Sequence, residues 1–226
     1  MITHHPAPEL LLDFATGAQP EALALMVATH VTMCPECAAH VAQLQAVGGL
    51  LLEQSDAAAV DDDLLQSVLA RLDEPPIPTP VSATRPDAET LAIVPRPLRR
   101  YLHRDLHPDL GQSLADLPWR SVGWMFKEFR LPLARRSMMA SLMRFRPGRA
   151  IPQHTHHGNE YTLVLAGGYQ DAGQAFGRGD FAAKDSSETH QPMVDEDGEC
   201  LCLVVLDAPL KLTGTIGRLI NPLLRI

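Results

Sequence analysis

Seven of the chain's 19 prolines fall between residues 74 and 97: Pro75, Pro76, Pro78, Pro80, Pro86, Pro95 and Pro97. Proline lacks a backbone donor and clashes with the preceding helical turn, so a run of this density breaks regular structure. The 226-residue chain is therefore expected to divide into residues 1–73 and residues 99–226. An extended, semi-rigid linker over 74–98 would join them. With 46% hydrophobic and 20% charged residues, both parts can bury a core, which excludes wholesale disorder.

The two parts differ in periodicity. Before the prolines, Val41, Leu44, Val47 and Leu51 recur at helical spacing, as do Leu64, Leu65, Val68, Leu69 and Leu72. The second stripe follows Asp61, Asp62 and Asp63, acids that suit a helix N-terminus. Residues 10–15 and 21–31 predict two more helices, separated by turn residues at 17–20. Four helices in about 73 residues make a small core, of the kind that a metal or a partner often completes. After the prolines, short apolar runs at 141–145, 161–165 and 201–206 alternate with Gly-rich turns. That pattern predicts an antiparallel sandwich or barrel.

Charge is divided just as unevenly. Residues 1–73 carry ten acids against one base, Arg71, a net of −9; the whole chain is −8, which leaves +1 for residues 74–226. Such an acidic helical part repels nucleic acid and complements a basic protein surface, including one that meets DNA. The first 50 residues hold no Lys or Arg, so the basic start of an export signal is missing. The apolar run at 22–28 is too short to span a bilayer. A soluble, cytoplasmic protein with no membrane contact is expected. Close cysteine pairs in such a setting, Cys34/Cys37 and Cys200/Cys202, point to metal or redox chemistry rather than disulfides.

The first constellation is His30, three residues, Cys34, two residues, Cys37. Two thiolates and an imidazole suit tetrahedral Zn²⁺. Positions i and i+4 share a helix face, so His30 and Cys34 can converge. Pro35 is a good first residue for a new helix. A fourth ligand is required, with His5 the leading choice, then His4, then His40. The competing readings are a redox pair and simple buried thiols; no βαβ pattern accompanies the CxxC to support the redox one.

The second constellation is Gly148-x5-His154-x-His156-x3-Glu160-x6-Gly167. His154 and His156 alternate on an extended strand and so share a face. Glu160 follows a turn at 157–159, from which a returning strand aims it at the same point. This spacing resembles the first motif of the cupin superfamily at every defined position. The second cupin motif matches at Gly179 and His190 but carries Asp185, Ser187 and Val194 in place of Pro, Gly and Asn. His154, His156, Glu160 and His190 make a set compatible with Zn, Fe, Mn or Ni. Cys200 and Cys202, two apart on one strand, are expected to pack in the core, or else to form an oxidant-sensitive pair near this metal.

The combination of an acidic helical part with His5…His30-x3-Cys34-x2-Cys37, a Pro-rich linker and a C-terminal cupin resembles the ChrR family of zinc-binding anti-sigma factors over nearly the whole chain. The resemblance implies two-domain α + β architecture, with a small helical zinc-binding bundle followed by an all-β cupin barrel. It implies Zn²⁺ held by His5, His30, Cys34 and Cys37. A second Zn²⁺ or another divalent metal would be held by His154, His156, Glu160 and His190. It also implies a non-enzymatic function: binding an extracytoplasmic-function sigma factor, with release under singlet oxygen or organic peroxide through the cupin. The alternatives on the residues alone are a metal-dependent cupin enzyme such as a dioxygenase, and a redox-regulated storage or scaffold protein using the two thiol pairs.

Overall fold

The structure is a computed structural model that describes residues 1–72, 74–75, 86–102, 113–124, 126–134, 137–208 and 210–212, with backbone alone for His156 and for 210–212. Most of the proline run, at 76–85, and the last fourteen residues, 213–226, lie outside the described residues.

Four helices occupy the N-terminal part: α1 (Pro8–Ala15), α2 (Glu21–Val31), α3 (Pro35–Glu53) and α4 (Leu64–Leu72). Pro35 opens α3 at a position whose N–H needs no helical partner, and Cys34 caps it by accepting from the Cys37 N–H. The helices bury unequally. In α2 seven of eleven residues are buried, whereas α4 buries none.

The expected extended linker is corrected at its second half. Residues 88–93 and 96–99 form α5 (Ala88–Ile93) and α6 (Arg96–Arg99). Asp87 caps α5 by accepting from the Thr90 N–H at 2.7 Å, and Thr90 Oγ1 in turn accepts from Leu114 N–H at 2.8 Å. Pro95 and Pro97 sit at the entry of α6, where proline costs no helical hydrogen bond. Val94, Leu98 and Leu102 are buried in the main core.

Twelve strands follow among the described residues. They are β1 (Arg120–Val122), β2 (Phe126–Arg130), β3 (Met139–Phe145), β4 (His154–His156), β5 (Glu160–Ala166), β6 (Tyr169–Asp171), β7 (Gln174–Phe176), β8 (Phe181–Lys184), β9 (Thr189–His190), β10 (Met193–Val194), β11 (Cys200–Leu206) and β12 (Leu210–Leu212). A six-stranded antiparallel sheet runs β1-β2-β3-β11-β5-β8; two three-stranded sheets run β10-β6-β7 and β12-β4-β9. Gly167, at φ +68, turns β5 toward β6, and a Cβ there would stand 2.3 Å from the Glu199 carbonyl oxygen.

The large sheet is apolar on both faces. In β11, Cys200, Cys202, Val204 and Leu206 face the small sheets; Leu201, Leu203 and Val205 face the helices. Every residue of β11 is buried, so its sequence reads as an unbroken apolar run. The helix-facing side meets Ala22, Leu25 and Met26 of α2 together with Leu98 and Leu102. The apolar stripe of α2 is therefore used within this chain, and the helical part is packed on the cupin part instead of hanging from it. The physical reason is area: an apolar outer sheet face requires cover, and α2 supplies it.

Leu98 is 0% exposed and Leu69 is 46% exposed. Leu98→Ala should cost about 2–5 kcal/mol of unfolding free energy in urea titration. Leu69→Ala should stay within about 0.5 kcal/mol of the parent.

Candidate metal centres

At the first centre the chain makes an elbow. α2 ends at Val31, α3 begins at Pro35, and the two axes differ by 119°. His30 and Cys34 thus converge across a bend between helices, not along one helix face as the i, i+4 spacing implied. His5, His30, Cys34 and Cys37 bring their donor atoms within 4.8 Å of one another. His5 Nδ1 lies 3.4 Å from both Sγ atoms, and His30 Nε2 lies 3.3 Å from Cys37 Sγ. His4 points elsewhere, its ring on Phe176 at 4.3 Å between centroids, and His40 takes no part in the cluster.

The donor chemistry fits a closed cation site. His30 Nδ1–H donates to the Gly179 carbonyl at 2.9 Å, so Nε2 carries the lone pair that faces the thiols. Burial, against the opposing pull of that hydrogen bond, holds His30 below the ordinary imidazole value and so neutral. Burial, with Cys34 beside it, pushes the Cys37 thiol up to about 12. The Cys37 thiol therefore needs an arriving cation to favour its ionised form. With two sulfurs and two imidazoles, the set suits a tetrahedral ion with no open position.

At the second centre, β4 and β9 pair with His154 opposite His190, and β5 opens with Glu160. The donor atoms of His154, Glu160 and His190 lie within 4.8 Å of one another. His156 holds the expected place on β4, but its side chain lies outside the described residues. The ring nitrogens are again oriented from behind. His154 Nδ1–H donates to the Pro152 carbonyl at 2.8 Å, and His190 Nδ1–H donates to Asp171 Oδ2 at 2.9 Å. Both Nε2 atoms then carry lone pairs for a cation. Burial, reinforced by His190, lowers His154 to about 4, and burial raises the Glu160 carboxyl. The cavity beside these groups is about 60 Å³, and Cys200, Cys202 and Tyr169 line it. The two sulfurs are 3.5 Å apart. They pack in the core, as expected, and line the cavity as well.

The departure in the second cupin motif is met by other turn chemistry. Ser187 donates from its N–H and its hydroxyl to Asp185 Oδ1, at 2.8 and 2.6 Å. Asp185 thus forms an Asx turn at the place of the missing proline and glycine.

A family model described as the ChrR cupin-like domain matches residues 109–208. The anti-sigma-E factor ChrR of Cereibacter sphaeroides is 36% identical over 225 residues, spanning 100% of this chain and 99% of the relative. The chain belongs to the ChrR family. A crystal structure of Rhodobacter sphaeroides SigE in complex with the anti-sigma ChrR matches with a TM-score of 0.76 at 33% identity, over 91% of this chain and 100% of that one. The helical part and the β-rich cupin part are the architecture of that family. Both of these relatives are anti-sigma factors. No single helix among the described residues is long and apolar enough to cross a membrane.

The structure adds residues that the sequence did not single out. Asp171, 2% exposed in its side chain, orients His190 and lies 3.6 Å from Lys184 Nζ. It reads in the sequence as one more turn residue before Ala172-Gly173, and no spacing marks it. Asp171→Asn should weaken metal binding at the cupin about 10–100-fold, read by competition with a chelator. Cys34→Ser should abolish binding at the helical centre, read by metal analysis. In the parent chain that site should lose at least about tenfold in affinity per pH unit of acidification, because Cys37 must shed a proton to bind.

Proposed function

We propose that this chain is a cytoplasmic anti-sigma factor. Its helical part would bind an extracytoplasmic-function sigma factor and keep it from RNA polymerase, and its cupin part would govern release under oxidative stress. The observation that carries this reading is the end-to-end likeness to the anti-sigma-E factor ChrR. Zn²⁺ is the ion assigned to His5, His30, Cys34 and Cys37. A divalent metal, Zn²⁺ or another, is assigned to His154, His156, Glu160 and His190.

Surface chemistry supports the binding role. On α4, Leu64, Leu65, Val68, Leu69 and Leu72 are 46–73% exposed, and Val47, Leu50, Leu51 and Leu52 at the end of α3 are 57–74% exposed. An apolar helix face of this extent calls for a partner. The acidic character of residues 1–73 favours a basic one. The stripe on α2 does not belong to that face, because the cupin sheet covers it.

The dioxygenase alternative loses its support. The full-length relative is an anti-sigma factor, and the cavity of about 60 Å³ falls far below the roughly 300–1,000 Å³ of small-molecule sites. It has room for a handful of waters, or for a small oxidant.

The test is promoter-dependent transcription by RNA polymerase with the cognate sigma factor. The full chain should inhibit it, and failure to inhibit would reject the proposal. Leu65→Asp with Leu69→Asp should weaken inhibition at least about tenfold without a change in melting temperature. His190→Ala should retain inhibition in the resting state and alter the response to peroxide. Loss of resting inhibition there would mean the two parts divide their roles differently.

A further inference from the structure

His5 stands on a seven-residue arm, residues 1–7, that precedes α1 and has no regular structure of its own. What holds the arm is the cupin part. Asp180, 4% exposed, accepts from Thr3 N–H at 2.7 Å and from His4 N–H at 3.0 Å through Oδ1. Its Oδ2 accepts from Gly177 N–H at 2.8 Å. Phe181 N–H donates to the His4 carbonyl at 3.0 Å. The arm is thereby laid along the turn at 177–181 as an added extended segment. Successive side chains of an extended segment point to opposite sides. His4 accordingly rests on Phe176, and His5 faces Cys34 and Cys37.

The same turn reaches the second imidazole ligand. Gly179 presents its carbonyl to His30 Nδ1 at 2.9 Å. Its φ is +94, and a Cβ at this position would stand 2.5 Å from Ile2 Cδ1. Glycine takes this φ without strain, whereas another residue would be strained there and would also push aside the tip of the Ile2 side chain. The turn then runs straight into β8, whose Ala182 and Lys184 line the cupin cavity. One short segment of chain thus carries groups of both centres.

We propose that the cupin turn at 177–181 is a working part of the helical part's metal centre, with Asp180 and the Gly179 carbonyl as positioning groups that orient His5 and His30. The proposal rests on reading the His5, His30, Cys34, Cys37 cluster as a metal site. Its physical content is preorganisation: an arm already ordered by Asp180 loses little freedom when His5 binds the ion. Loosening this turn therefore lowers retention of an ion whose four ligands all belong to the other part of the molecule.

The probe is cobalt(II) added to the metal-free full chain. The thiolate-to-cobalt bands that vanish in Cys34→Ser report this centre. Asp180→Ala should shift the ligand-field bands as water takes the place of His5. It should also speed transfer of the ion to a chelator about 10–100-fold, as loss of an orienting partner does. Asp180→Asn keeps one side-chain oxygen for the two arm N–H groups but turns an NH2 toward the Gly177 N–H, so its band shift should be smaller than that of Asp180→Ala. A parent spectrum and transfer rate in a folded Asp180→Ala chain would overturn the proposal. Should that variant fail to melt cooperatively, Thr3→Pro removes the N–H and hydroxyl donors of Thr3 from the arm and leaves the turn untouched. It should give the same band shift, and an unchanged spectrum there would equally overturn the proposal. Absence of thiolate bands in the parent chain would instead defeat the metal-site reading beneath it.

Discussion

A six-stranded sheet whose two faces are both apolar must be covered twice, and the rest of the molecule follows from that need. β11 shows it at single-residue resolution: alternate side chains enter alternate cores, and none reaches solvent. The inner face closes over the small sheets and the cupin cavity. The outer face takes α2, α6 and the segment around Leu114 and Leu117. Hydrophobic burial on this scale is what seats the helices against the turn at 177–181, and hydrogen bonds then refine the fit.

The two candidate centres divide the available chemistry. The first has two thiols and two imidazoles, all but His5 buried, which suits an ion held for structure. The second has imidazoles and a carboxylate beside an enclosed cavity, with Asp171 and Lys184 behind it and two thiols on its wall. Both orient their histidines through Nδ1–H donated to an oxygen, so each ring meets the cluster through a chosen nitrogen. At His5 the roles are reversed: Nδ1 faces the thiols and Nε2 faces Glu36 at 3.8 Å.

Apolar surface is distributed in a way that suits reversible association. α2 is spent inside the chain, whereas α4 and the end of α3 keep theirs exposed. A helix such as α4, with no buried residue of its own, draws its stability from whatever covers it.

Much was legible in the sequence because the signals are local. Helical spacing, the thiol pair, Pro35 after Cys34 and the cupin spacing from Gly148 to Gly167 each depend on neighbours in the chain, and the structure places a helix, a cap or a strand where each predicts one. The motif residues His30, Cys34, Cys37, His154, Glu160 and His190 were therefore within reach, and His5 was the leading choice for the fourth ligand at the first centre. What the tertiary structure alone decided are the partners brought from far away: Gly179 to His30, Asp180 to the arm, Asp171 to His190, and α2 to the sheet. The proline run also misled where Asp87 and Thr90 drew helices out of it. The reason is that spacing encodes which side chains share a face of one element, while nothing in a linear pattern encodes which two faces meet. That choice belongs to the burial of whole surfaces.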